Sequence, residues 1–152
     1  MFVFEDLVYA MDGQRHVVHV YRNRNSWLIK LHEIKYPCEC SKRYHAHSIS
    51  VTYEHIIHCC SDKSLVSILD RSGELLRKIP IVGIFEYRPV LCQVDVEGNF
   101  LIVDRMTKRL LIAHTNQQSH QWRIVYLLDL PDGRVFWGAV WFRHRLYVSD
   151  NC

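Results

Sequence analysis

The sequence predicts an all-β fold, a partial β-propeller of about three four-stranded antiparallel blades that is open and does not form a closed ring. Short strands that end near a polar turn recur along the chain, and their anchor positions Tyr9, Ile57, Leu101 and Tyr147 are spaced 48, 44 and 46 residues apart. A repeat of this length built from strands is typical of a propeller blade and not of a helical repeat. In some strands, such as His47 to Tyr53, apolar and polar residues alternate, which favours antiparallel hairpins.

The first unit, residues 1–34, is predicted to contain three strands. They cover Leu7 to Met11, His16 to Tyr21, and Trp27 to Ile34. The polar residues 12–15 and 22–26 have the composition of turns and separate these strands. The segment 35–46 contains a proline and shows no regular period, so we expect a loop there.

The second unit, residues 47–81, is predicted to be a complete four-stranded meander. Its strands cover His47 to Tyr53, His55 to Cys60, Leu65 to Leu69, and Glu74 to Ile81. Between the last two strands, Asp70 to Gly73 has the composition of a hairpin turn. Cys59 and Cys60 are neighbours in one strand and are therefore expected to face opposite sides of the sheet.

The third unit, residues 90–130, repeats this pattern, and a fourth begins at residues 135–152. The strands of the third unit cover Val90 to Val96, Phe100 to Val103, Leu110 to Ala113, and Gln121 to Leu130. Two more strands are predicted over Val135 to Phe142 and Leu146 to Val148. The four units thus contain three, four, four and two predicted strands.

The predicted sheets are apolar on both faces, so each must be covered by a neighbouring sheet on either side. Leu110 and Ile112 point one way, while Leu111 lies one residue out of phase. Fewer than four units cannot close a ring that typically needs four to eight blades. We therefore expect a piece of a propeller whose end faces are exposed, with self-association through the open blade edges.

Composition places the chain among globular proteins. The 152 residues are 49% hydrophobic and 23% charged, and the net charge of +3 is too small to indicate nucleic-acid binding by itself. Acidic residues follow Met1 closely where a secretion signal needs a basic start, so we expect a cytoplasmic protein with reduced cysteines. The four tryptophans are expected to pack between sheets.

The third unit resembles the NHL repeat. The matching positions are Pro89, Val94-Asp95, Gly98-Asn99-Phe100, Asp104, and Arg109-Leu110. The resemblance implies a six-bladed propeller like the C-terminal domain of tripartite-motif ubiquitin ligases. No RING or B-box is seen, so ligase activity is not implied. We expect a non-enzymatic protein-interaction scaffold module with a protein partner, no catalytic residues, no metal and no cofactor.

The order of strands predicts one face formed by the turns after second strands and by the connections between units. Basic and aromatic side chains share this face and form a candidate interaction surface: Arg15, Lys63, Arg88, Arg105, Lys108, Arg109, Arg134, Tyr36, Tyr87 and Trp137. Basic residues interleaved with aromatic ones can neutralise phosphates and stack on bases. Single-stranded RNA is therefore the alternative ligand, and no membrane is expected.

A calcium-dependent hydrolase of the lactonase type is a third and more distant alternative. Acidic residues recur at strand ends, namely Asp12, Asp62, Asp104 and Asp150. Converging carboxylates can bind calcium, yet each aspartate more simply accepts backbone N–H bonds within its own turn.

Other candidate sites are weaker. Cys38, Cys40, His45 and His47 are zinc ligand types, but their spacing departs from that of usual zinc sites. The sequence offers no basis for pairing a serine nucleophile with a histidine base.

Overall fold

The structure, a computed structural model, describes residues 1–25, 27–38, 47–60, 65–80, 89–95, 98–104, 109–115, 122–129, 135–142 and 145–151. For residues 47, 89–92, 104, 115, 122–129, 135–138, 141–142 and 150–151 only the backbone is described. These residues form fourteen strands arranged in four antiparallel sheets, which we call blades 1 to 4. The prediction of an all-β fold built from four-stranded antiparallel sheets is confirmed.

Blades 1 and 2 are four-stranded meanders in which each strand pairs with the next one along the chain. Blade 1 consists of β1 (Phe2–Phe4), β2 (Leu7–Asp12), β3 (Val17–Arg24) and β4 (Trp27–Lys35). Blade 2 consists of β5 (His47–Val51), β6 (His55–Cys60), β7 (Leu65–Asp70) and β8 (Leu75–Pro80).

Blade 3 repeats the meander, and blade 4 is a two-stranded hairpin. Blade 3 consists of β9 (Pro89–Val94), β10 (Phe100–Asp104), β11 (Arg109–Thr115) and β12 (Trp122–Asp129). Blade 4 consists of β13 (Val135–Phe142) and β14 (Arg145–Asn151).

The first strands of successive blades lie side by side. β5 contacts β1 on one side and β9 on the other, and β9 also contacts β13. The buried Ser50 hydroxyl of β5 accepts a hydrogen bond from the Val94 amide of β9, with an N to O distance of 3.2 Å. Blades that meet along their first strands form an arc around a common axis, which is propeller geometry.

Alternating side chains of each blade fill the interfaces on its two sides. Between blades 1 and 2 the buried residues are Tyr9, Val18, Val20, Ile34, Tyr36, Ile49, Val51, Ile56 and Leu69. Between blades 2 and 3 they are Ile57, Cys59, Val66, Ile79, Phe100, Ile102, Leu111 and Ala113. Leu101, Val103 and Leu110 of blade 3 pack toward Ala139 and Leu146 of blade 4. The expectation that each blade is apolar on both faces therefore holds for blades 2 and 3.

The tight turns follow from aspartate and glycine. Asp70 Oδ1 accepts the N–H groups of Ser72 and Glu74 at 2.8 and 2.9 Å, and Gly73 has φ of +97°. Asp95 Oδ1 accepts the Asn99 N–H at 2.8 Å, and Gly98 has φ of +80°. A positive φ is accessible to glycine at little steric cost, so both hairpin turns form where the sequence predicts them.

Two expectations about blade 1 are corrected. The sequence analysis predicts three strands, but the structure has four, because Phe2–Phe4 pairs with β2 through Phe2 to Tyr9 and Phe4 to Leu7. A three-residue strand is too short to show alternation, which is why the pattern missed it. Trp27 does not pack between sheets, because 77% of its surface is exposed on β4.

The ends of the arc are open. Within the described parts of the chain, blade 4 does not contact blade 1, so the blades do not close a ring. Large apolar side chains are exposed on the two terminal blades, among them Trp27, Leu28, Ile29, Val140 and Tyr147. The described residues include no helix of the length and hydropathy needed to cross a bilayer.

Candidate functional site

A cavity of about 160 Å³ lies on the face of blade 2 that is turned toward blade 1. It is lined by Pro37, Cys38, His58, Cys60, Leu65, Ser67 and Lys78. The first two residues follow β4 on the connection from blade 1, and the other five belong to β6, β7 and β8. The volume is smaller than the roughly 300–1,000 Å³ of sites for drug-sized ligands, so the cavity suits a small molecule.

Three of the lining residues form a row across neighbouring strands, and we call them the polar row. His58 of β6 is directly opposite Ser67 of β7, and Ser67 is directly opposite Lys78 of β8. Side chains that are directly opposite in antiparallel strands share a face, with Cβ atoms about 4.5–5.5 Å apart. An imidazole, a hydroxyl group and an ammonium group thus come from directly opposite positions on one face of blade 2, beside the cavity.

The polar row is largely shielded from water. His58 has 1% of its surface exposed and Ser67 has 3%, whereas Lys78 is exposed. The ring centroids of His58 and Tyr36 are 4.5 Å apart, with an angle of 45° between the ring planes. The backbone N–H of Tyr36 donates to the carbonyl of His16 at 3.1 Å, which ties the connection that bears Tyr36 to the turn after β2. The imidazole is therefore held between two blades.

The alternation of β6 explains why polar groups reach this cavity. Ile57 and Cys59 belong to the apolar interface with blade 3, while His58 and Cys60 line the cavity on the other face. The prediction that Cys59 and Cys60 face opposite sides is confirmed. Both cysteines are buried, and Cys38 is half-buried.

Sequence reasoning missed the polar row. Ser67 and His58 are nine positions apart, and their pairing depends on the register between β6 and β7. The available signal was the predicted hairpin: with both strands assigned, one register places these residues opposite each other and on the same face. The structure thus places a serine opposite a histidine, a pairing for which the sequence analysis found no basis.

A second polar cluster holds blades 1 and 2 together. Arg71, in the turn after β7, donates to the carbonyl oxygen of Thr52 at 2.7 Å and to the hydroxyl oxygen of Tyr9. Its guanidinium carbon lies 5.2 Å from the ring centroid of Tyr9 and 5.7 Å from that of Phe4. Burial raises the pKa of Tyr9, although the charge of Arg71 acts in the opposite direction. These contacts indicate a structural role.

A third cluster surrounds Glu33 on β4. Its carboxylate lies 2.5 Å from the Lys30 ammonium nitrogen, 3.1 Å from Nδ1 of His19 and 3.9 Å from the Arg15 guanidinium. The hydrogen bond from Lys30, followed by the nearby positive charges, lowers the pKa of Glu33 although partial burial acts against them. Glu33 is therefore held as a carboxylate, which makes it a poor proton donor near neutral pH.

The predicted interaction surface is only partly described. Arg15 lies in the turn after β2 with 63% of its side chain exposed, and Arg109 begins β11 and is also exposed. Trp137 is in β13, and only its backbone is described. Outside the described residues lie Lys63, Tyr87, Arg88, Arg105, Lys108 and Arg134. Tyr36 does not present a stacking surface there, because only 4% of it is exposed and it packs on His58.

The aspartate cap is confirmed at Asp12, the one position of that set whose side chain the structure describes. Asp12 Oδ1 accepts the N–H groups of Gln14 and Arg15 at 3.0 and 3.1 Å. Asp62 and the side chains of Asp104 and Asp150 lie outside the described residues, as do Cys40 and His45 of the weak zinc pattern. Among the described side chains, no group of three or more His, Cys, Asp or Glu residues is arranged to hold a metal ion.

Comparisons with known proteins bear on the fold. No family model and no curated protein matches the sequence. The structure is similar to that of a protein from Lactobacillus plantarum, with a TM-score of 0.59 and 12% identity over 95% of this chain and 47% of that chain. It is also similar to a periplasmic gluconolactonase from Pseudomonas aeruginosa, with a TM-score of 0.52 and 12% identity over 82% of this chain and 37% of that chain. The fold is a partial, open β-propeller.

A third similar structure is a protein of unknown function from Bacteroides caccae, with a TM-score of 0.53 and 15% identity over 75% of this chain and 39% of that chain. The chain thus spans less than half the length of each of these proteins. At such identities the likeness establishes the fold alone. Membership of the NHL repeat family, the cytoplasmic location and the predicted partners stay predictions.

The functional ranking from sequence is corrected. It places a non-enzymatic interaction scaffold first, RNA binding second and a lactonase-type hydrolase third. One protein of similar fold, the gluconolactonase from Pseudomonas aeruginosa, is named as an enzyme and not as a scaffold. The scaffold prediction is therefore wrong and the RNA alternative is not retained. The NHL-like turn residues led to it, because they define a blade and carry no information about what the blade does.

Proposed function

We propose that this propeller hydrolyses small cyclic esters, that is, lactones, in the cavity between blades 1 and 2. The proposal rests on the polar row: His58, Ser67 and Lys78 side by side at a cavity, in a fold shared with a gluconolactonase. It replaces the prediction that the chain is not an enzyme. Fold likeness alone would be a weak argument for activity, so the chemistry of the site has to support it.

Each member of the polar row has a role in ester hydrolysis. A neutral imidazole can take a proton from the attacking hydroxyl group and later return it to the leaving oxygen, and we assign this role to His58. The carbonyl oxygen becomes negatively charged in the transition state, and a cation beside the cavity stabilises that charge, which we assign to Lys78. Burial of His58 and Ser67 strengthens these interactions, because little water is present to screen them.

The described residues of the cavity lining do not fit calcium. Calcium binds six to eight oxygen ligands, several of them carboxylates, whereas the lining residues that the structure describes offer thiol, imidazole, hydroxyl and ammonium groups and no carboxylate. These groups can support ester hydrolysis without calcium.

The test is an assay of lactone hydrolysis. Proton release from glucono-δ-lactone is followed with a pH indicator in weak buffer and compared with the spontaneous rate without protein. We expect a rate above background that is proportional to protein concentration. His58→Gln should lower the enzymatic rate by about 10²–10⁴-fold, as expected for loss of a general base.

His32→Gln is the matched control, because it makes the same chemical change on the exposed strand β4. It should retain the parent rate. Equal rates with and without the parent protein would refute the proposal, and so would a His58→Gln variant that hydrolyses lactones at the parent rate.

A further inference from the structure

We infer that Ser67 is the nucleophile of this site and that hydrolysis proceeds through an acyl group bound covalently to its hydroxyl oxygen. The inference deepens the proposed function and rests on it. It decides between two attacking groups, a serine hydroxyl and a water molecule, and it assigns a catalytic role to a residue that the sequence pattern leaves unremarkable.

The first argument is the position of Ser67 within the polar row. Its strand β7 lies between β6 and β8, so Ser67 has His58 as its direct neighbour on one side and Lys78 on the other. A nucleophile needs a base within hydrogen-bond reach and a group that stabilises the developing oxyanion nearby. Ser67 occupies the central position, with a candidate base on one adjacent strand and a candidate cation on the other.

The second argument is a comparison with the other fully buried serine of blade 2. Ser50 lies on β5 with 0% of its surface exposed, and its hydroxyl oxygen accepts the Val94 amide of the next blade. That contact gives Ser50 a structural reason to be buried. Ser67 instead lines the cavity, so its hydroxyl group borders the space in which a small ligand would bind.

The third argument is the rigidity of the elements. His58, Ser67 and Lys78 are all within paired strands, and β6 is fixed on its opposite face by the interface with blade 3. Catalytic groups on paired strands are held more accurately than groups on loops. Holding the hydroxyl and imidazole groups in one geometry lowers the entropic part of the barrier.

The reaction balances in two steps. In the first, Ser67 Oγ forms a bond to the lactone carbonyl carbon while its proton passes to His58; the ring C–O bond then breaks, and the ring oxygen takes the proton from His58. The ring-opened acyl group remains as an ester of Ser67. In the second step, water attacks this ester, its proton passes through His58 to Ser67 Oγ, and the hydroxy acid is released.

The cavity also restricts the substrate. A volume of about 160 Å³ suits a single small ring better than a disaccharide or a lipid chain. The polar lining residues His58, Ser67 and Lys78 favour a ring that carries polar groups. The substrate class is therefore small, polar five- or six-membered lactones.

The first experiment detects the nucleophile without relying on turnover. The full chain is incubated with a fluorophosphonate, which reacts with activated serine hydroxyls, and intact mass and peptide mapping locate the adduct. We expect one adduct, at Ser67. Ser67→Ala should lose the adduct, while Ser149→Ala, a change at an exposed serine of β14, should retain it.

The second experiment separates this inference from the proposed function. Lactone hydrolysis is measured for the parent and Ser67→Ala, with thermal unfolding as a check that the variant folds. A parent that hydrolyses lactones and a folded Ser67→Ala variant at least about 10³-fold slower would support the inference. A parent that is active, gives no adduct at Ser67 and loses no rate in Ser67→Ala would overturn the inference and leave the hydrolase proposal intact. A parent without activity would overturn both.

Discussion

Gly73 of blade 2 lies very close to the last strand of blade 1, and Gly73→Ala should destabilise the protein strongly. Gly73 has φ of +97°, and a Cβ atom at this position would lie 2.4 Å from the carbonyl oxygen of Lys35 and 2.6 Å from Cγ2 of Ile34. The left-handed conformation costs an alanine about 1–2 kcal/mol. Overpacking against a backbone atom that cannot rotate away costs about 1–3 kcal/mol more. We therefore expect the free energy of unfolding to fall by about 2–5 kcal/mol.

Gly98→Ala is the matched control. Gly98 has φ of +80°, but a Cβ atom there would meet nothing within 4 Å, so this substitution carries only the conformational cost of about 1–2 kcal/mol. Urea unfolding followed by tryptophan fluorescence, with linear extrapolation to water, gives both values. The reasoning would be refuted if the two variants lost the same stability within about 0.5 kcal/mol, because the approach of Gly73 to blade 1 would then carry no energetic weight.

Two further predictions concern stability. The Ser72 hydroxyl donates to the Asp70 carboxylate and, together with nearby backbone N–H groups, lowers the pKa of Asp70 below its ordinary value of 3.8. A carboxyl group with a lowered pKa stabilises the folded state at a pH above its unfolded pKa. This contribution is lost as the pH falls through the folded pKa. Asp70→Asn should therefore flatten the acid limb of the stability curve measured by urea unfolding between pH 5 and pH 2, and an unchanged limb would contradict the assignment. Ser50→Ala removes the acceptor of the Val94 amide and should lower the free energy of unfolding by about 1 kcal/mol. An unchanged urea midpoint would contradict this assignment.

The strands and hairpins of blades 2 and 3 could be predicted because local chemistry and blade architecture agree there. Asp70 and Gly73 form their turn through contacts within a few residues of the chain, and so do Asp95 and Gly98. Such local contacts can be expected from the sequence alone. β1 could not be found in this way, because three residues show no period and its formation depends on pairing with Tyr9 and its neighbours.

The predicted hairpin held a signal for the pairing of His58 with Ser67, but the cavity beside them could not be predicted, because it depends on tertiary structure. The register between β6 and β7 brings His58 opposite Ser67, and the packing of blade 1 encloses them through Tyr36. Tyr36 also shows how an aromatic side chain expected at a loop surface becomes buried when the connection folds back over a blade. Trp27 is the opposite case, because an outer strand at the open side of blade 1 leaves it in solvent.

The alternation along β6 has an evolutionary consequence. Ile57 and Cys59 seal the interface with blade 3, while His58 and Cys60 border the cavity. A substitution at Cys60 can alter which molecules the cavity accepts, while Ile57 and Cys59 maintain the dry interface with blade 3. Specificity can therefore change at this cavity position without loosening the packing on the opposite face of the strand.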